Sequence, residues 1–181
     1  MTDENVIDQT IAWINNVVIG CNFCPFAAKA MLQKRVRYTI LHEPTDEIVL
    51  TTLAFELQFL EDNAEVETTL IILPEHFEDF ETYLDLVDLS EELLVTLSYE
   101  GVYQLASFHP KYLFAESYEE DPANYTNRSI YPMLHILRED SISKAIDNYP
   151  DAGGIPQRNV DFANRKGLPY MRMLWESCLQ K

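Results

Sequence analysis

The chain has 181 residues, with 30 acidic against 13 basic side chains and a formal net charge of −17. A field of that sign repels phosphate, which argues against a general nucleic-acid binder or a protein of anionic membrane surfaces. With 47% hydrophobic and 12% aromatic residues, the composition is that of one folded globular domain over 1–181 rather than of an acidic disordered tail.

The charge is local. No Lys or Arg occurs between Arg37 and Lys111, while Tyr38 to Pro110 holds 17 Asp and Glu, so the flanks are neutral in sum. Three cysteines, Cys21, Cys24 and Cys178, give an odd count, and Met1 to Asn5 is acidic where a secretory leader is basic. No uncharged apolar run approaches the ~20 residues that cross a bilayer. These features set the expectation of a soluble cytoplasmic protein without a disulfide framework.

In chain order, a first helix is predicted to begin near Thr2 or Asp3, with Ile7, Ile11, Ile14 and Val18 on one face and Gly20 at its end. Pro25 suits the first position of a second, short helix, which makes Cys24 its expected N-cap. A thiol there feels unpaired N–H groups and the positive end of the helix dipole, and both favour the nucleophilic thiolate. Cys24 is thus the first candidate for chemistry. The other reading of Cys21-Asn22-Phe23-Cys24 is a pair of small buried hydrophobes with inert thiols.

Arg35 to Leu41 alternates as a strand does, and Thr45 opens a helix with Val49, Leu50, Leu53, Leu57 and Leu60 as its stripe. Thr68 to Leu73 is a second strand. The next helix carries Phe77, Phe80, Leu84, Val87 and Leu94 between acids. Val102 to Phe108 and Met133 to Leu137 are the third and fourth strands, and Ser141 to Asn148 is helical. Pro156 and Pro169 mark two more helix starts, with Gly167 between them. The alternation gives an α/β fold with about four strands in a mainly parallel or mixed sheet, helices packed on it, and the direction of the fourth strand open.

His109 stands at the exit of the third strand, where open α/β sheets commonly build their sites, and it is the candidate acid or base. A loop-anchoring histidine before a proline is the alternative. His135, inside the fourth strand, is expected to be a hydrogen-bonded core or edge residue. The segment from His109 to Pro132 is 24 residues long and rich in tyrosine, which suits a packed loop. Within it Asn127, Arg128 and Ser129 could hold a carboxylate or phosphate, or could brace the loop itself; Arg138 repeats the theme. A metal site from Cys24, His109 and His135 lacks any short ligand spacing, so none is assigned, and no familiar phosphate-binding loop is present. No cofactor is indicated.

Three stretches, Val18-Ile19-Gly20-Cys21-Asn22-Phe23-Cys24-Pro25-Phe26-Ala27, Ala106-Ser107-Phe108-His109-Pro110 and Asn127 through Glu139, together resemble the bacterial family catalogued as domain of unknown function 1415. The resemblance covers nearly the whole chain, including Ile155-Pro156-Gln157-Arg158-Asn159. It implies no mechanism. It does imply that Cys24 is the family-like thiol, because the family pattern usually has Leu at the position of Cys21. The resulting expectation is an enzyme acting on a small anionic or amide-bearing molecule, with Cys24 as nucleophile, His109 as acid/base, and Asn127, Arg128, Ser129 and Arg138 binding the substrate. The alternative is a non-catalytic metabolite- or metal-binding or adaptor protein whose acidic helical face meets a basic partner.

Overall fold

Helix starts in this protein are written in short polar side chains, and the computed structural model, which describes residues 1–179, shows three of them at work. The Thr2 hydroxyl accepts the Asn5 N–H and opens α1 (Asp3–Trp13), with Asp3 and Glu4 in the first turn. Thr45 does the same for α3 (Asp46–Asp62), and Asp79 for α4 (Phe80–Thr96). Two bonds from Thr82 to Asp79 hold that carboxyl below its ordinary range. Between α1 and α3 lie α2 (Ala27–Leu32) and β1 (Val36–Ile40).

β1 pairs in parallel with β2 (Thr68–Ile72), as a crossover through α3 permits. β3 (Tyr103–Phe108) does not join β2. Instead β4 (Met133–Arg138) runs antiparallel between them, giving the order β1-β2-β4-β3. Phe108 and Met133 are register partners, so residues 109–132 leave and re-enter the sheet at one end as the loop of a wide hairpin. The sheet is therefore mixed. The loop is packed as expected, around a 3-10 turn at Pro122–Thr126 in which Ala123, Asn124 and Tyr125 are buried.

Period-2 alternation then sorts side chains to two faces. Leu53, Leu57 and Leu60 of α3 and Tyr83 and Leu86 of α4 are fully buried against Ile71, Leu134 and Ile136 on one face. Each such leucine contributes ~1.5–3 kcal/mol of transfer free energy. On the other face Trp13, Ile14 and Val17 pack over Leu70, Ile72 and Met133. That side is completed by the C-terminal helices α6 (Ile155–Lys166) and α7 (Leu168–Glu176), which follow α5 (Glu139–Asp147). Gly167, at φ 80°, makes the break between α6 and α7 that an L side chain would resist.

The expected stripe of α1 is displaced. Val6, Gln9, Thr10, Ala12 and Trp13 are buried, whereas Ile7 and Ile11 are only partly so. Polar groups on the buried side are satisfied internally: Thr10 Oγ1 donates to the Val6 carbonyl, Gln9 Nε2 to that of Leu179, and Trp13 Nε1 to that of Arg128. Counting apolar residues alone misses a face built this way. The α4 stripe also shifts, because Asp79 starts that helix after Phe77, which lies in the preceding loop. Among the described residues no helix is long and apolar enough to cross a membrane.

Candidate functional site

The helix that begins as α1 does not stay α-helical. From Ile14 to Ile19 it widens to a π-helix, and the Gly20 N–H reaches back five residues to the Asn15 carbonyl at 3.0 Å. Asn22, at φ 57°, then turns the chain back so that the Val18 carbonyl accepts the N–H of Phe23 at 2.8 Å and of Cys24 at 3.4 Å. From the far side Asn159 Nδ2 donates to the Phe23 carbonyl at 2.8 Å. The cysteine loop is thus pinned at both ends. Cys24 is not the N-cap of α2: that place belongs to Phe26, and the Cys24 carbonyl accepts the Ala27 N–H in a turn that precedes the helix. With Pro25 and Phe26 outside a six-residue helix, the dipole argument for Cys24 falls away.

Cys24 is half-buried because it faces a cavity of about 270 Å³ between the helical layer and the sheet. Val36, Thr68, Leu70, Ala106, Phe108, His135 and Leu137, drawn from all four strands, form the floor. The roof is Trp13, Ile14 and Val18 from the helix, Cys24 from the loop, and Ala27 and Met31 from α2. Met31 also lines an open groove of about 410 Å³ beside Asn15, Ile19, Ala28 and Leu32. The lining is almost wholly apolar. Thr68 spends its hydroxyl on the Ile136 carbonyl, which leaves the Cys24 thiol and the His135 ring as the functional groups of the cavity.

His135 sits in a cross-sheet row with Leu70 on one side and Ala106 on the other. The short Ala106 side chain leaves room beside the imidazole. Among the described residues its ring meets that of Phe108 in a tilted contact at 6.1 Å, neither ring nitrogen has a hydrogen-bond partner, and the side chain is only partly buried. Burial pushes its pKa down to about 4, so the ring is neutral at pH 7.

The other candidates lie elsewhere. His109 is fully buried against Phe80 and Tyr83 and does not line the cavity. Its Nδ1 accepts the Lys111 N–H at 2.9 Å, and its Nε2 meets the Phe77 carbonyl at 2.8 Å. A carbonyl can only accept, so Nε2 carries the proton and both nitrogens are committed. Burial lowers its pKa as well. His109 joins the exit of β3 to the loop before α4, which is the loop-anchoring alternative.

Arg128 donates to the carbonyls of Tyr112 and Glu119 and lies over the Tyr125 ring, bracing the loop through backbone rather than through any of its acids. Asn127 accepts the His109 N–H with its carbonyl and the Thr126 hydroxyl with its side chain. Ser129 donates to the Tyr131 carbonyl. Arg138 donates to the carbonyls of Leu60, Asn63 and Val66 and to the Tyr103 hydroxyl. None of the four lines the cavity. Cys21 is in the core, where burial pushes its thiol pKa up. Among the described residues no three His, Cys, Asp or Glu side chains come together around one metal position.

His135, expected from sequence to be a hydrogen-bonded core or edge residue, lines the cavity without a hydrogen-bond partner among the described residues. Its signal is the run Met133-Leu134-His135-Ile136-Leu137, in which one ionisable side chain interrupts a strand apolar on both faces. No curated protein and no solved structure matches this chain. A family model described as protein of unknown function (DUF1415) matches residues 5–173, nearly the full length carrying the sheet, the cysteine loop and His135, and the chain belongs to that family.

Proposed function

We propose that this protein is a small-molecule enzyme whose site is the cavity between the π-helix and the sheet, with Cys24 as nucleophile and His135 as its proton acceptor and donor. One observation carries the reading: an imidazole with no protein partner lines the same partly open apolar cavity as a thiol. The ring is only partly buried, and its nitrogens, without a protein partner, are open to what enters the cavity. At neutral pH the unprotonated ring is able to take the thiol proton as sulfur attacks an electrophilic carbon, and to return it to the oxygen or leaving group of the adduct. The role assigned to His109 on sequence moves to His135, because His109 has no nitrogen to spare. A cytoplasmic location suits the proposal, since reducing conditions keep Cys24 as a thiol.

The test is the rate at which iodoacetamide modifies Cys24, followed by peptide mapping at pH 7 in the wild type and in His135→Gln. General-base assistance is worth ~10²–10⁴ when the pKa of the base matches the working pH; a ring held near 4 is a weaker base, so a smaller fall, of roughly threefold to tenfold, is expected in the variant. An unchanged rate in a folded His135→Gln protein removes His135 from the chemistry and leaves a binding role for the cavity.

A further inference from the structure

Resting on that reading of the cavity, we infer that its ligand is uncharged and mostly apolar, carrying one hydrogen-bonding group that docks on the His135 ring. The walls decide this. Among the described residues no Lys, Arg, Asp or Glu lines the cavity, and Thr68 has turned its hydroxyl to the backbone. The two guanidinium groups that could have served an anion, Arg128 and Arg138, are committed to backbone carbonyls elsewhere. The imidazole brings no countercharge at pH 7, because burial keeps it neutral.

A carboxylate placed here would lose its hydration and gain at most one neutral donor, an exchange that costs several kcal/mol for an unpaired ion. A neutral amide, alcohol or carbonyl loses far less and recovers it from the ring, which offers one donor and one acceptor. The apolar body then lies between Ile14 and Val18 above and Leu70 and Leu137 below. A volume of about 270 Å³ restricts the ligand to a small one. Of the two ligand types expected from sequence, the apolar lining favours the amide-bearing one over the anionic one.

Hexanamide and hexanoate test the inference directly, since they share shape and chain length and differ in charge. Each is titrated at pH 7.5 into the full-length wild-type protein, with the His135 ring and Cys24 resonances followed by NMR. Hexanamide is expected to shift both with at least roughly tenfold higher affinity than hexanoate. Hexanoate binding as tightly as hexanamide, with the same resonances moving, overturns the inference while leaving the cavity as the site. Movement of neither residue with either probe overturns the inference and the cavity reading together.

Discussion

Three side chains expected from sequence to serve a site, His109 as acid/base and Arg128 and Arg138 as substrate ligands, hold the backbone together. Side-chain type told what they could bind, but not that main-chain carbonyls from distant elements would reach them first. Arg138 shows the scale of such work: its guanidinium meets three carbonyls at the end of α3 and the loop beyond it, residues about 72–78 positions away. Hydrogen bonds to charged donors are worth ~1.5–3 kcal/mol each, and orphaned acceptors add to the loss. Arg138→Ala is therefore expected to lower unfolding free energy by at least ~3 kcal/mol in urea titration. Arg138→Lys should recover little, because a point charge cannot replace the planar fork. Neither change should alter Cys24 alkylation in protein that remains folded, which is the result that separates a brace from a substrate ligand.

At the level of elements, most of the architecture was legible. Polar caps, strand alternation and the Pro156, Gly167 and Pro169 punctuation are local signals, and the elements stand close to where they point. What escaped was set by tertiary pairing. The position of β4 between β2 and β3 has no local signature, and the π-helix differs from an α-helix by hydrogen bonds that span five residues instead of four, a change that periodicity counting absorbs unnoticed over one turn. That wider turn carries Ile14 and Val18 over the cavity and supplies the carbonyl that holds Cys24. It also explains Gly20, since a methyl group there would run into the Asn16 carbonyl oxygen. Gly20→Ala should cost ~1–3 kcal/mol by forcing this turn apart, measured as a lower urea midpoint. It should also change Cys24 alkylation, an effect that a stability defect confined to another element would not produce.

For the molecule as a whole, the net charge of −17 resolves into one solvated layer. Asp46, Glu47 and Asp62 on α3 and Glu81, Asp88, Glu91 and Glu92 on α4 are exposed, while Glu56 is buried beneath Arg37 and Thr39. The cavity lies on the opposite face of the sheet, so global acidity and local site chemistry are separate properties. Stability against pH should follow the histidines. His135 has a folded pKa of about 4 against 6.5 unfolded, so the unfolded chain binds more protons between those values and stability falls as pH drops through them. The loss from His135 alone is about 2 kcal/mol between pH 7 and 5. His109, also lowered, adds in the same direction. His42, raised by Asp3 and Glu75, acts oppositely: its contribution is present below pH 6.5 and lost as pH rises through its folded pKa. Urea midpoints at pH 7 and 5 should therefore converge in His135→Gln relative to wild type; an equal drop in both proteins refutes the assignment.

The strand order also sets a timetable for synthesis. When residues 1–132 have left the ribosome, β1 and β2 have each other, but β3 has no partner, because its only neighbour in the sheet is β4. The last strand must enter between β2 and β3, bringing with it the histidine that lines the cavity with Cys24. A nascent chain therefore carries its thiol loop before it has a pocket, and the cavity comes into being only as the sheet closes.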